Sequence, residues 1–307
     1  MELSAQRLGS IIQGMRKAYA EGDNAMAYAR SELDEYKGKN HPIATLVAYD
    51  LQAGSYVASA RENPEIKDIW CKQLAELIGP VLPSGGSLLE VGVGEATTLA
   101  GVLKALGQQV GKAFGFDISW SRIAVAEEWL FEQSQVAELF VGDLMCIPLA
   151  DNSIDVVYSS HSLEPNGGRE EEALQALLRV ARHAVVLIEP IYELASPEAQ
   201  ARMTHHGYVR ELKETAEKLG ASVLDYRLLK HIANPLNPSG VLVLQKGKRE
   251  EGQGSPLYLW QCPLTATNLQ SMDEFFYAPD VGVAYPVLRG IPMLAPEHAI
   301  IASRIFD

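Results

Sequence analysis

The residues best suited to bind a ligand lie where a hydrophobic run ends in two glycines. Residues 88–91 are apolar apart from Glu90, and Gly92 and Gly94 follow them before a helical pattern begins. Glycines at this spacing permit a tight turn and a close approach of the backbone, and the next helix presents free N–H groups at its N-terminus. This combination is typical of nucleotide binding. The third glycine of a dinucleotide fingerprint is missing, because Thr97 stands in its place.

Acidic residues flank the two glycines. Glu90 precedes them and Glu95 follows them directly. Carboxylates in these places would repel a pyrophosphate and attract a ligand with a positive group. Taken alone, the segment could also be an ordinary turn between a strand and a helix.

Two further acidic residues end the next strand patterns. Asp117 ends the second pattern, where a carboxylate can accept two hydrogen bonds from ribose hydroxyls. Asp143 ends the third, where it can accept a hydrogen bond from an exocyclic amine such as that of adenine. Because open α/β sheets bind ligands at the carboxyl ends of their strands, we expect Glu90, Asp117 and Asp143 to line one crevice.

The elements that position these residues divide the chain into three parts. Residues 1–82 show helical apolar spacing and predict a helical cap. Residues 83–248 alternate short apolar runs with amphipathic stretches, which predicts a mostly parallel sheet with crossover helices. The last two runs, 222–229 and 240–245, are joined without a helical pattern and predict an antiparallel pair. A charged, glycine-rich linker precedes residues 255–307, whose turn signals predict a small β-rich domain.

Composition limits the function classes. The chain has 307 residues, of which 47% are hydrophobic and 21% charged, and its net charge is −13. Such a charge disfavours nucleic acid as a partner. No apolar run approaches the roughly 18 residues that span a bilayer, and the N-terminus lacks a signal pattern. Three distant cysteines, Cys71, Cys146 and Cys262, fit a reducing compartment, so we expect a soluble cytoplasmic protein that does not associate with membranes.

The middle part of the chain, from about residue 80 to residue 246, resembles a class I S-adenosylmethionine-dependent methyltransferase. The matching motifs are LLEVGVGEATTL, GFDIS, VGDLMCIPLADNSIDVVYSS and VVLIEP. The resemblance implies an α/β fold with a Rossmann-like seven-stranded sheet and S-adenosyl-L-methionine as the cofactor. Glu95 departs from the family, which often has a third glycine at this position.

The resemblance also implies which residues hold the cofactor. They are Glu90, Gly92 and Gly94 at the methionine moiety, Asp117 at the ribose, Ile118, Asp143 and Leu144 at the adenine, and Ser160 or His161 near the methionine end and the substrate. Tyr49 and Tyr56 of the helical cap could close over the cofactor, or they could pack at an interface.

The acceptor side needs a base if the acceptor is a hydroxyl group. Methyl transfer is an in-line displacement, so the enzyme must exclude water, align the acceptor and remove its proton. Histidine suits this role, and we favour His161, which follows the fourth strand; it could instead be a supporting or capping residue. His205 and His206 are adjacent on a helix, so at most one faces the site. Glu189 ends the fifth strand and could orient a histidine, bind substrate or lie in a solvated loop.

The segment after the fourth strand bears on the acceptor class. Methyltransferases that modify exocyclic amines often carry Asn/Asp-Pro-Pro-Tyr there, whereas this chain has residues 160–165, SHSLEP. We therefore expect O-methylation of a small molecule such as a sugar or a secondary metabolite. A tRNA, rRNA or translation-factor methyltransferase and a non-catalytic cofactor-binding scaffold stay as alternatives.

The tail, residues 256–303, resembles the small zinc-ribbon protein that activates several tRNA and translation-factor methyltransferases. Its four metal-binding cysteines correspond here to Cys262, Thr265, Ala278 and Val281. A structural zinc ion needs four ligands, so we expect no metal. Such a domain would add a strand to the catalytic domain or cover an apolar face of it in cis. A solubility appendage or a homodimer contact is the alternative.

Overall fold

The computed structural model describes residues 4–33, 42–230, 234–247 and 257–306. Its N-terminal part is helical, as the apolar spacing predicts. The helices that the structure describes there are α1 (Ala5–Ala20), α2 (Ala25–Glu32), α3 (Pro42–Leu51), α4 (Ser55–Glu62) and α5 (Pro64–Ile78). The first three share a small apolar core of their own, whereas α5 buries its apolar face against the rest of the molecule.

A seven-stranded sheet follows in the described part of the chain. Its strands are β1 (Gly86–Val91), β2 (Val110–Asp117), β3 (Glu138–Val141), β4 (Ile154–Ser160), β5 (Ala181–Pro190), β6 (Ser222–Leu228) and β7 (Ser239–Gln245). Their order in space is β3-β2-β1-β4-β5-β7-β6. The first five strands are parallel, and β7 runs antiparallel to both of its neighbours, so the predicted antiparallel pair is confirmed.

Helices cover both faces of the sheet. The helices after the first strand are α6 (Thr97–Leu106), α7 (Trp120–Glu132), α8 (Glu170–Val180), α9 (Pro197–His206) and α10 (Leu212–Lys218). One face packs against α5, α6 and α7 and the other against α8 and α10, which explains why the central strands bury apolar side chains on both faces. In the described ranges, every helix is too short or too polar to span a lipid bilayer.

The C-terminal part is a small antiparallel β unit. It contains β8 (Gln270–Ser271), β9 (Phe275–Ala278), β10 (Val283–Leu288), β11 (Ile291–Pro292) and β12 (Ile300–Ile301). The expected architecture, a seven-stranded α/β sheet with a helical N-terminus and a small β-rich C-terminal domain, is thus confirmed.

This unit docks on the edge of the main sheet. Met293 forms a parallel bridge with Val141 at the end of edge strand β3, and the Leu294 amide donates to the Val141 carbonyl oxygen at 2.8 Å. Nearby, the ring of Trp260 meets the ring of Phe140 edge-on at 5.2 Å. The C-terminal unit therefore extends the sheet edge and adds apolar side chains to its core.

Candidate functional site

A cavity of about 570 Å³ lies at the carboxyl edge of the sheet, between the ends of β1 to β4 and the helices α3 to α5. All the residues predicted for the cofactor line it, together with one of the predicted bases. They are Tyr56, Glu90, Gly92, Gly94, Asp117, Ile118, Asp143, Leu144, Ser160 and His161. The parallel strands thus bring all of these residues except Tyr56 to one edge, as their positions at or after strand ends predict, and Tyr56 comes from α4.

The turn after β1 depends on its glycines. Gly92 and Gly94 have φ angles of 64° and 54°, in the left-handed region that favours glycine. A Cβ atom on Gly92 would collide with Ser162, whose hydroxyl donates to the Val91 carbonyl oxygen at 2.7 Å. A side chain at Gly92 would therefore displace the loop after β4, which forms another wall of the cavity.

Glu90 is a buried carboxyl group at the centre of this edge. It stands opposite Tyr158 in the register of β1 and β4, and the Tyr158 hydroxyl donates to its Oε2 at 2.7 Å. Burial raises the pKa of Glu90 to about 8, although the hydrogen bond from Tyr158 and the charge of Lys67 oppose the shift. At neutral pH the carboxyl group of the ligand-free protein is thus largely protonated, and a cationic partner would ionise it.

The two aspartates at strand ends are held by backbone amides. Asp117 accepts hydrogen bonds from Gly94 N at 3.1 Å and from Ser119 N at 2.9 Å. Burial raises its pKa, while these two bonds and the charge of Arg122 oppose the shift. Asp143 accepts from Met145 N at 2.8 Å through Oδ1. Each carboxylate is fixed in direction and lines the cavity.

Glu95 does not face the ligand cavity, and the expectation that it would attract a cationic ligand is wrong. Its side chain is fully buried. It accepts hydrogen bonds from the backbone N–H groups of Gly54 at 3.0 Å and Val57 at 2.7 Å, at the N-terminus of α4. Its positive partner is Arg122, whose Nη1 lies 3.4 Å away. The Glu95 carboxylate thus ties the turn after β1 to the helical cap.

Two tyrosines of the helical cap line the cavity opposite the turn. Tyr56 stacks on Arg122, whose guanidinium carbon lies 4.3 Å from the ring centre, and the ring also approaches Gly94. The ring centre of Tyr49 lies 5.3 Å from the same guanidinium carbon. Burial raises the pKa of Tyr49 to about 12, so its hydroxyl stays protonated at neutral pH. Both tyrosines thus line the cavity and pack on Arg122, and their closure over the cofactor stays a prediction.

His161 follows β4 and has a φ angle of 57°, unusual for a residue with a side chain. Its Nδ1 lies 3.2 Å from Glu164 Oε2 and its Nε2 lies 2.7 Å from Ser239 Oγ. Burial lowers the pKa of His161, but the hydrogen bond with Glu164 and the charges of Glu189 and Glu164 outweigh burial and raise it. The imidazole is thus oriented by one carboxylate and faces the cavity.

Glu189 is buried behind the loop that carries His161. It accepts hydrogen bonds from the backbone N–H groups of Ser162 at 3.0 Å, Leu163 at 3.1 Å and Glu164 at 3.2 Å. Burial raises its pKa to about 7, opposed by the charge of His161. Glu189 is not among the residues that line the cavity, so it positions the loop backbone and is not placed to touch a substrate.

His205 lies in the last turn of α9, outside the cavity lining. Its ring packs edge-on against the ring of His206 at 5.2 Å. The structure therefore does not bring His205 to the site that contains His161.

Several cavity residues escaped the sequence analysis. Lys67 of α5 lines the cavity, and its Nζ donates to Thr98 Oγ1 at 2.8 Å. Ser239, the first residue of β7, contacts His161 through its hydroxyl. Asn237, in the connection before β7, donates from Nδ2 to Glu164 Oε2 at 3.3 Å, and its Oδ1 atom is buried without a hydrogen-bond partner. The sequence could have indicated Lys67, because it lies three residues before Trp70 and is thus on the apolar side of its helix.

No metal-binding cluster of three or more His, Cys, Asp or Glu side chains occurs in the ranges that the structure describes. At the four places that the resemblance to the zinc-ribbon protein assigns to metal ligands, Cys262 and Ala278 are buried, and Cys262 Sγ lies 3.7 Å from Tyr285 Oη. Thr265 Oγ1 lies 2.8 Å from Thr267 Oγ1, and Val281 is exposed. The Cys262 thiol thus has the Tyr285 hydroxyl as its neighbour, and the hydroxyls of Thr265 and Thr267 pair with each other.

Comparison with known proteins agrees with this geometry. Residues 89–188 match the family model described as a methyltransferase domain. The chain is an S-adenosylmethionine-dependent methyltransferase. Its cofactor is S-adenosyl-L-methionine, and the matched residues run from β1 to β5, along the wall of the cavity. No curated protein sequence matches this methyltransferase significantly.

Solved structures resemble this methyltransferase in fold. A methyltransferase in a complex with the Trm112 activator from Haloferax volcanii is 13% identical, with a TM-score of 0.50, covering 64% of this chain and 96% of that one. An S-adenosylmethionine-dependent methyltransferase from Aquifex aeolicus is 17% identical, with a TM-score of 0.42, covering 56% and 88%. Geranyl diphosphate C-methyltransferase from Streptomyces coelicolor is 9% identical, with a TM-score of 0.44, covering 57% and 78%.

Proposed function

We propose that this enzyme methylates a hydroxyl oxygen of a small molecule, with His161 as the general base. The observation that carries the proposal is the placement of His161 in the cavity wall, with Nδ1 against Glu164 and Nε2 against a hydroxyl, that of Ser239. A neutral imidazole oriented by a carboxylate can remove a proton from an acceptor hydroxyl near neutral pH.

The order of the strands supports one orientation of the cofactor. Asp143 and Leu144 follow β3 and Ile118 follows β2, where the adenine would lie, and Asp117 at the end of β2 would accept the ribose hydroxyls. The methionine moiety would then lie over the turn after β1. The residues assigned to it are Glu90, Gly92, Gly94 and Ser160, with Tyr56 above them.

The chemistry of these groups fits the cofactor. Buried and half-buried carboxyl groups favour a ligand that carries positive charge and many hydrogen-bond donors, and the glycine turn permits close approach of the backbone. When bound, S-adenosyl-L-methionine supplies an electrophilic methyl group. In this orientation the methionine end of the cofactor would lie beside the end of β4, which His161 follows.

The proton path follows from the hydrogen bonds of His161. Because Nδ1–H donates to Glu164, Nε2 is left as the acceptor, and the Ser239 hydroxyl can donate to it at 2.7 Å. An acceptor hydroxyl would either replace the Ser239 hydroxyl at Nε2 or pass its proton through it. The proton of the acceptor hydroxyl would pass to Nε2 of His161, and Glu164 would stabilise the resulting imidazolium.

The size and charge of the site favour a small acceptor over a nucleic acid. A cavity of about 570 Å³ must hold the cofactor and the acceptor together, which leaves room for a small molecule. Its wall includes Glu90, Asp117, Asp143 and Glu164, in a chain with net charge −13. Repulsion of a phosphate backbone counts against tRNA or rRNA as the substrate.

We also propose that residues 257–306 serve the catalytic domain in cis, as a separate activator serves its methyltransferase. The strand bridge between Met293 and Val141 protects the β3 edge, and Arg179 links the two units by donating to the Leu149 carbonyl oxygen at 2.7 Å and to Gln261 at 2.7 Å. The Haloferax volcanii neighbour, whose partner is an activator protein, is compatible with this role.

The test is transfer of labelled methyl from S-adenosyl-L-methionine into a cell extract that is separated into small-molecule, RNA and protein fractions. We expect label in the small-molecule fraction with the wild-type enzyme and a loss of about 10²- to 10⁴-fold in rate with His161→Ala. Label confined to RNA or protein would refute the proposed acceptor class. Full activity of His161→Ala, with unchanged cofactor affinity, would refute the proposed base.

A further inference from the structure

The part of the cavity around His161, which we call the acceptor end, has an apolar wall. Trp70 of α5 lines the cavity, and its ring centre lies 5.8 Å from the ring centre of His161, with 48° between the two ring planes. The indole is half-buried and packs against the apolar core. Ile66 lies one turn earlier on α5, also lines the cavity and is 64% exposed. The apolar wall thus begins at the proposed base and continues along α5.

Amide side chains also line the acceptor end. Asn166 follows β4, and Asn234 and Asn237 belong to the connection between β6 and β7. Asn237 donates from Nδ2 to Glu164 Oε2 at 3.3 Å, whereas its Oδ1 atom is buried without a hydrogen-bond partner. Because a buried acceptor without a donor is costly, a ligand hydroxyl that donates to this oxygen would be stabilised.

The charges beside His161 disfavour an anionic acceptor. The hydrogen-bond and ring partners of its imidazole in the described part of the chain are Glu164, Ser239 and Trp70. A phosphate or carboxylate on the acceptor would be repelled by the Glu164 carboxylate. A hydroxyl group both donates and accepts, as an asparagine amide does, so the amides match a neutral acceptor with several hydroxyl groups.

The apolar wall and the amides together favour a ring compound of one kind. A sugar ring carries C–H groups on one face, which can pack on an indole, and hydroxyl groups around its edge, which can pair with amides. A phenol or an aliphatic alcohol would cover the Trp70 ring but would leave the buried oxygen of Asn237 without a donor.

We propose that the methyl acceptor is a neutral sugar, or a similar ring with several hydroxyl groups, that packs its C–H face on Trp70 and donates a hydroxyl to Asn237. This inference rests on the proposed function, with His161 as the base. Trp70 and Asn237 then determine which acceptor is bound, because an analogue without the hydroxyl leaves the amide unpaired.

The first test is chemical and needs no identified acceptor. Periodate cleaves the carbon–carbon bond between neighbouring hydroxyl groups, so treating the small-molecule fraction of a cell extract should abolish most labelled-methyl transfer to it by the full chain. Excess periodate is consumed with ethylene glycol before the enzyme and the cofactor are added. In the control, ethylene glycol is added before periodate and transfer should persist. Mass spectrometry of the labelled product after acid hydrolysis should show a methylated sugar.

The second test separates acceptor binding from cofactor binding. Trp70→Leu should raise the apparent KM for the accepting fraction about 10-fold, and Trp70→Phe should restore most of it, because only an aromatic face is required. Asn237→Leu should raise the same KM about 10-fold through the lost hydrogen bond. In calorimetry all three variants should keep wild-type affinity for S-adenosyl-L-homocysteine, the demethylated cofactor. Ile69→Ala is the matched control, since Ile69 lies on the same helix, is 49% exposed and does not line the cavity.

The outcomes distinguish this inference from the proposed function. Label in a periodate-resistant small molecule, or in a phenol ether, would overturn the inference and leave the proposed function intact. An unchanged KM of Trp70→Leu would also overturn it, as would equal losses for Trp70→Leu and Trp70→Phe, which would mark a structural role. If Trp70→Leu does not fold, Asn237→Leu decides by the same two measurements. Absence of label from all small molecules would refute the proposed function, and the inference with it.

Discussion

The Glu95 carboxylate and the Arg122 guanidinium form an ion pair of 3.4 Å from which water is excluded, with side-chain exposures of 0% and 2%. The pair joins three separate parts of the chain. Glu95 belongs to the turn after β1, Arg122 to α7, and the remaining hydrogen bonds of Glu95 go to Gly54 and Val57 in the helical cap. The position of the helical cap relative to the turn after β1 and to α7 therefore depends on this one carboxylate.

Loss of the Glu95 charge should destabilise the protein strongly. Glu95→Gln keeps the size of the side chain but leaves Arg122 buried without its carboxylate partner, and breaking a buried pair costs about 3–5 kcal/mol in the free energy of unfolding. Urea denaturation measures this cost. The matched control is Glu172→Gln, which breaks the exposed pair between Arg169 and Glu172 and should cost less than about 1 kcal/mol. Equal effects of the two substitutions would contradict the importance of the buried pair.

Cofactor affinity should increase with pH up to about 8. The pKa of Glu90 is raised to about 8 in the free protein, so below that value an incoming ammonium group must displace a proton from the carboxyl group. Affinity for S-adenosyl-L-homocysteine should fall by up to about tenfold for each pH unit below 8. Calorimetry in buffers with different ionisation heats should detect proton release at pH 7. Glu90→Gln should remove this contribution, and a wild-type protein with the same pH dependence as Glu90→Gln would refute the mechanism.

Turnover should depend on the protonation of His161. A general base must be neutral, so kcat should rise with pH to a plateau reached above the ordinary histidine pKa of about 6.5, because the carboxylates around His161 raise its pKa. Glu164→Gln removes the hydrogen bond that raises the pKa, so the rise should move to lower pH while the plateau falls. The measurement is the pH profile of labelled-methyl transfer at saturating cofactor. Superimposable profiles for wild type and variant would show that Glu164 does not tune the base.

The sequence predicts the sheet and the carboxylates at its edge for the same reason. Short apolar runs between amphipathic stretches indicate parallel strands, and residues that end such strands must meet at one edge, so Glu90, Asp117 and Asp143 were found from local pattern alone. The order of strands in space and the antiparallel last strand agree with the family resemblance.

Residues whose role depends on distant partners could not be predicted in this way. Glu95 looked like a ligand-facing residue, because its partners Arg122, Gly54 and Val57 are remote in sequence. Glu189 was placed correctly at the end of β5, but the three amides that it holds belong to the loop after β4. Local spacing places a residue on an element, whereas the packing of the helical cap and of loops decides which way its side chain points.

The C-terminal unit should unfold together with the catalytic domain. Trp260 packs edge-on against Phe140 of β3 on one side and Phe276 of β9 on the other, with ring centres 5.2 and 5.3 Å away, so it belongs to both parts. Trp260→Ala should lower the free energy of unfolding by about 3–5 kcal/mol in one transition, whereas Leu264→Ala, at an exposed position of the same unit, should change it by less than about 0.5 kcal/mol. Denaturation followed by circular dichroism and by cofactor binding gives both quantities. Two separate transitions, with cofactor binding retained after the first, would mean that the catalytic domain does not need its C-terminal partner, because an exposed β3 edge would then be tolerated.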